Sequence, residues 1–111
     1  MRSDAIRRSP LKERDIEAHL VKRVKALGGE VRKVQWIGRR GAPDRLVMLP
    51  ERMLSTASAT YIVAPYLLFV ELKAPGLKPP AYQLREHARM RAMGQRVEVI
   101  DSIEGVERLL A

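Results

Sequence analysis

Apolar residues recur at three- and four-residue spacing through Ile16, Leu20, Val24 and Leu27 until Gly28 and Gly29 stop the run, which predicts a first helix beginning near Glu13. Val31, Val34 and Trp36 then alternate imperfectly with charged residues, so residues 30–36 are expected to form a strand. Residues 38–43 are rich in Gly, Arg and Pro and read as a turn. An acid opens residues 44–49, which continue Leu46-Val47-Met48-Leu49, a short apolar run of the kind found in buried strands; Pro50 ends it. Residues 51–66 interleave Ser, Thr and Ala with Met53, Leu54, Tyr61 and Ile62, a pattern that suits either a loose loop or a short extra hairpin. The strongest strand signal is residues 67–73, apolar until Glu71 and Lys73.

After a Pro/Gly loop, Pro80 is placed to start a helix with Ala81, Leu84, Ala88 and Ala92 along one face and Gly94 at its end. Residues 97–100 form a short final strand. Asp101 or Ser102 can cap a last helix whose apolar face is Ile103, Val106, Leu109 and Leu110. The predicted order is αβββαβα, with no internal repeat. Residues 1–12 are basic and aperiodic, and are expected to be a flexible arm preceding a single domain over 13–111.

Composition narrows the class. A chain of 111 residues has material for one core. With 46% apolar and 31% charged residues it is expected to be globular, not disordered. The absence of cysteine excludes disulfides and thiolate zinc sites, and two isolated histidines do not assemble one either. A reducing, cytoplasmic setting is expected: the N-terminus leads into charge, and no apolar stretch approaches the roughly 20 residues that span a bilayer. Charge is unevenly spread. Residues 1–50 carry 13 basic and 6 acidic side chains, a net +7, against 8 and 7 in residues 51–111, a net +1. Such asymmetry favours a polyanionic partner, nucleic acid before membrane, because each neutralised phosphate releases condensed counterions.

Two acids stand where strand burial would make charge expensive, Asp44 and Glu71. Lys73, two residues beyond Glu71, would emerge on the same face of a strand. A divalent cation held by oxygen donors relieves such a pair, since Mg²⁺ takes one or two carboxylates together with water and phosphate oxygens.

Gly41-Ala42-Pro43-Asp44 followed, 27 positions after the aspartate, by Glu71-Leu72-Lys73 resembles the bipartite signature of the PD-(D/E)XK nuclease superfamily. Within it the chain is similar to the VRR-NUC family, the nuclease domain also found in Fanconi-associated nuclease and in small stand-alone phage and bacterial proteins. Glu17 in the first helix, the Lys78-Pro79-Pro80 loop and Gln83 at the next helix complete the match, which spans about residues 13–110. The resemblance implies a restriction-endonuclease-like α/β fold, a mixed central sheet flanked by helices. It also implies Mg²⁺- or Mn²⁺-dependent hydrolysis of DNA phosphodiesters, with Asp44, Glu71 and the Leu72 carbonyl as metal ligands and Lys73 activating water. Glu17 would approach a metal directly or through water, and Gln83 would position water or Lys73. Stand-alone members are similar to junction resolvases, which implies a homodimer acting on four-way DNA.

Arg39, Arg40 and Arg45 crowd around Asp44 and are expected to contact the DNA backbone, with Lys33 and Lys78 extending that basic surface. Trp36 is expected in the core or beneath the turn at 38–43, with stacking on an unpaired base as the alternative. His19 and His87 are read as surface or half-buried helix residues without a role. The segment 51–66 exceeds what the family pattern needs and is expected to supply a dimer contact or a DNA-facing wedge. The rival from another class is a nuclease-fold module that binds DNA without cutting it; a flap or fork nuclease needing a partner is a further alternative.

Overall fold

The computed structural model describes residues 10–111; the greater part of the predicted N-terminal arm lies outside them. The elements are α1 (Glu13–Ala26), β1 (Glu30–Lys33), β2 (Arg45–Leu49), β3 (Arg52–Ser55), β4 (Thr60–Val63), β5 (Tyr66–Leu72), α2 (Ala81–Ala92), β6 (Val97–Ile100) and α3 (Ile103–Leu110). Four strands form one sheet in the order β1-β2-β5-β6, and β3-β4 stand apart as a two-stranded sheet. β1 and β5 each pair antiparallel with β2, whereas β6 joins β5 in parallel through the crossover helix α2. The sheet is therefore mixed, as expected, and removing the β3-β4 insertion leaves the αβββαβα order.

Ile16, Leu20 and Val24 form the buried stripe of α1, spaced so that one side of the helix meets the sheet. Asp15 turns back to accept a hydrogen bond from the Lys12 backbone N–H at 2.8 Å, fixing the helix start. At the other end Gly29 is required by contact: a Cβ there would fall 2.3 Å from the Met48 carbonyl, so only glycine lets the chain cross β2 so closely. Strand alternation on β2 and β5 sends Val47, Leu49, Leu68, Val70 and Leu72 towards α1 and α3, where they join Val106, Leu109 and Leu110 in the main apolar core. Ser102, one of the two caps considered, caps α3: its Oγ accepts from Gly105 N–H at 2.8 Å.

Two expectations need correction, and of the two alternatives for residues 51–66 the hairpin is the one found. The first strand ends at Lys33, and Trp36 leaves the ladder to donate its indole N–H to the Pro43 carbonyl at 2.7 Å, which ties off the loop between β1 and β2. Residues 51–66 form mainly a hairpin, closed by a turn in which the Thr56 hydroxyl accepts from Ala59 N–H at 3.1 Å. Helix α2 buries Glu86, His87 and Met90, not the stripe of Ala81, Leu84, Ala88 and Ala92, and Leu84 is 51% exposed. Alanine gains little from burial, so that stripe could not set the rotation of the helix. Contact between its first turn and the loop at residue 41 does.

Candidate active site

The register that places Arg45 opposite Val70 sets Asp44 opposite Glu71 one step further on. Residues so opposed share a sheet face, with Cβ atoms about 4.5–5.5 Å apart. Lys73 follows on that same face; its backbone N–H continues the β5-β6 ladder onto the Ile100 carbonyl at 2.9 Å, and its Nζ lies 3.6 Å from Glu71 Oε2. The three residues paired by motif thus converge at one end of the sheet.

Their environments differ. Glu71 is 8% exposed, and burial raises its pKa; the Lys73 ammonium opposes this rise, while the charges of Asp44 and Glu13 add to it. Asp44, expected to be costly in the same way, has a side chain 58% exposed because β2 begins one residue later, at Arg45. The expense of burial therefore falls on Glu71 alone.

Arg45 was expected among the DNA contacts. It is buried instead, because alternation along β2 sends it with Val47 and Leu49 towards α1. There its Nε donates to Glu17 Oε2 at 2.5 Å and its Nη1 lies 2.9 Å from Asp44 Oδ1. Arg45 so links the acid of the first helix to the acid of the strand, satisfying a guanidinium that burial would otherwise penalise. Glu17 is near the site, and its partner is this arginine.

On the other side the turn at 38–43 rests on the first turn of α2. Gly41 has φ +89°, and a Cβ there would lie 3.0 Å from the Tyr82 carbonyl and 3.1 Å from Gln83 Cα, so glycine is needed both for conformation and for space. Gln83 Oε1 is buried without a hydrogen-bond partner. One helical turn further, His87 is fully buried beside the Gly41 backbone, and neither ring nitrogen has a partner of ordinary geometry. Burial, reinforced by Arg91 and Lys73, pushes the His87 pKa down. The expectation of a surface or half-buried His87 is corrected; its spacing of four from Gln83, on the side of α2 that meets the turn, was the available signal. His19 instead meets Glu107 Oε2 at 2.7 Å on the helical side of the molecule.

Among the other basic candidates, Arg39 pairs with Glu86, which Arg89 also holds at 2.7 Å, and these two guanidinium groups keep the Glu86 pKa at about 2. The Arg40 guanidinium sits over the Tyr82 ring at 3.9 Å from its centroid. Lys33 ends β1 and Lys78 lies in the loop before α2, both exposed. Among the described residues no three His, Cys, Asp or Glu side chains are grouped so as to hold a metal by themselves. No helix among them is long and apolar enough to cross a membrane.

Mixed sheet, flanking helices and an Asp-turn paired with a Glu-x-Lys strand define the restriction-endonuclease-like class of nucleases. No family model matches the sequence. The chain is 48% identical over 92 residues, 83% of its length and 85% of the other's, to a protein named "Putative nuclease p44" from Acyrthosiphon pisum secondary endosymbiont phage 1. A solved structure described as a VRR_NUC domain superposes with a TM-score of 0.68 at 39% identity, covering 90% of this chain and 95% of that one. The chain belongs to the VRR-NUC nuclease family.

Proposed function

We propose that this chain is a metal-dependent, structure-selective DNA endonuclease that acts as a homodimer on branched DNA, four-way junctions in particular. The observation that carries this reading is Glu71, a buried carboxylate set against a second carboxylate with one lysine beside it. Arg45 is shared between Asp44 and Glu17 and Lys73 serves Glu71, so three carboxylates meet two cationic side chains and a further cation is favourable. The donors available are all oxygen: the carboxylates of Asp44 and Glu71, the Leu72 carbonyl, and the unpartnered Gln83 Oε1 close to the same turn. Hard oxygen donors of this kind, too few to enclose an ion without water, suit Mg²⁺ or Mn²⁺.

Such an ion, when bound by Asp44, Glu71 and the Leu72 carbonyl, supplies Lewis-acid stabilisation of phosphoryl charge and acidifies a coordinated water. The remaining roles belong to the chain. Lys73 Nζ orients the attacking water and stabilises negative charge as its oxygen adds to phosphorus and the P–O bond to the leaving oxygen breaks. Gln83 Oε1 accepts a hydrogen bond from that water. Arg45 holds Asp44 and Glu17 in fixed relation, which keeps the helix acid available for a second ion or its hydration shell. Arg39, Arg40, Lys33 and Lys78 meet the DNA backbone and set its register.

Homodimerisation rests on size and on the β3-β4 hairpin, whose Met53, Tyr61 and Ile62 are exposed. One small domain offers limited surface for a branched substrate, and two copies offer two cutting centres. The deciding experiment is cleavage of a labelled four-way junction, beside linear duplex, splayed-arm and single-stranded controls, with Mg²⁺, Mn²⁺ or EDTA, using wild type and Lys73→Ala. Paired, metal-dependent incisions lost in the variant while binding persists support the reading. Tight binding without cutting under either metal transfers the assignment to a non-cleaving module. Replacing residues 51–65 with a two-residue turn is expected to abolish dimerisation or junction preference; unchanged mass and substrate choice would remove the hairpin from both roles.

A further inference from the structure

Between α2 and the face of the sheet that carries Asp44 and Glu71 lies an open cavity of about 610 Å³, within the roughly 300–1,000 Å³ usual for ligand pockets. Trp36, Phe69, Met90 and Met93 give it apolar walls. Phe69 precedes Glu71 by two residues on β5, so it occupies the next position on the same sheet face as the candidate site. The Trp36 and Phe69 rings are 5.7 Å apart and inclined at 50°. The single N–H of the indole is spent on the Pro43 carbonyl, next to Asp44, so this ring is held in place by the same turn that positions the aspartate. The cavity rim is cationic: Arg39 and Arg89 reach it from the loop and from α2, both gripped by Glu86, itself 4% exposed. A buried carboxylate that fixes two partly exposed guanidinium groups leaves a net positive, pre-oriented edge around an apolar floor.

We infer that this cavity receives one unpaired nucleobase of the DNA bound at the candidate active site, its face against Trp36 and Phe69 and its flanking phosphates at Arg39 and Arg89. A flat apolar ring carrying phosphates on either side matches an aromatic floor with a cationic rim, and every base offers such a face. The cavity is continuous with the site through Phe69–Glu71 on one strand and Trp36–Pro43–Asp44 on one loop. Gln95, also lining the cavity, provides an uncharged amide for the base edge. The inference rests on the proposed nuclease reading for the identity of its ligand, and it adds a preference for substrates with an unpaired nucleotide beside the cut.

Trp36 is the chain's single tryptophan, so fluorescence excited beyond the absorption of the three tyrosines reports on this cavity. The full chain, in EDTA so that nothing is cut, is titrated with three labelled DNAs: a splayed-arm duplex, the same duplex with abasic nucleotides replacing the unpaired ones, and a fully paired duplex. Label anisotropy follows binding independently. Expected are quenching of Trp36 by the base-bearing arms only, and binding about fivefold or more weaker when those bases are absent, the range set by base–aromatic stacking. Met93→Glu places a carboxylate at a position already 70% exposed, so the fold should survive, and is expected to abolish the preference for base-bearing arms. Equal anisotropy curves with unchanged Trp36 emission would overturn the pocket while leaving the nuclease reading intact. Emission that changes with protein concentration alone would overturn it in favour of a second copy filling the cavity. Failure to bind any DNA, together with failure to cut with metal, would remove both.

Discussion

On one side of the sheet, α1 and α3 close over Val47, Leu68 and Val70 until none of the three is exposed; on the other, α2 buries its own His87 and Met90 while Leu67, Leu84 and Met93 stay in solvent. Among the described residues the first side holds the main apolar cluster, with Arg45, its partner Glu17 and Arg52 as the polar groups at its border. The second carries an acid pair, a lysine, an unpartnered glutamine oxygen, an unpartnered histidine and an open cavity. Such unsatisfied polar groups are destabilising, and three of the four buried unpartnered side-chain atoms among the described residues lie on this face, the fourth being Arg52 Nε beside α3. Substitutions on the α1/α3 side should therefore act on stability, and those on the α2 side on activity.

The largest effect on the stabilising side is expected from Leu68→Ala, which leaves a cavity under α1 and should lower unfolding free energy by about 2–5 kcal/mol in urea titration. A loss under about 1 kcal/mol would mean that this face is less tightly packed than its burial indicates. Across the sheet, Glu71→Gln keeps shape but removes a charge that burial penalises. Cleavage of a junction is expected to fall by about a hundredfold or more, while stability holds or rises. Should the variant unfold more readily than wild type, Glu71 belongs to the scaffold and the contrast between faces weakens.

How much of this contrast was legible beforehand depends on the element. The runs 44–49 and 67–73 and the stripe of α1 were readable because burial on a sheet or under a helix writes a period into the sequence. Asp44, Glu71 and Lys73 were readable as a motif, and strand register explains their convergence. The orientation of α2 was not, since its alanine stripe has a helical period and little energetic weight, while the contacts that set its rotation come from Gly41, forty residues away from the first alanine of the helix. The Glu17–Arg45 pair was likewise hidden. It joins a helix and a strand 28 positions apart, and no local pattern distinguishes an arginine facing a carboxylate from one facing solvent.

A smaller effect concerns pH. The unfolded chain takes up a proton on His87 near the ordinary value of 6.5, and the folded chain resists it because of burial and of Arg91 and Lys73, with the Gly41 backbone and Glu86 opposing them. Stability is thus complete above about pH 6.5 and declines as pH falls below it, since the unfolded state then binds more protons. Thermal unfolding followed from pH 7.5 to 5.5 should show this decline in wild type and a flatter curve in His87→Gln; parallel curves would show that other groups govern it. The smallest effect is expected from Leu84→Ser on the outer side of α2, within about 0.5 kcal/mol of wild type. A clearly larger loss would reveal that a second copy shields this helix in solution.

Leu49 and Tyr66 are register partners, so the chain leaves the main sheet for the β3-β4 hairpin and returns to it at a single point. The β2-β5 ladder needs only some connection between those two residues, and any insert whose ends meet there imposes little strain on it. This makes the junction at residues 50 and 65 a natural port. Length variation among relatives should accumulate there without disturbing the nuclease core, and a peptide tag or small domain grafted in place of the hairpin tip should report on the molecule without displacing a strand.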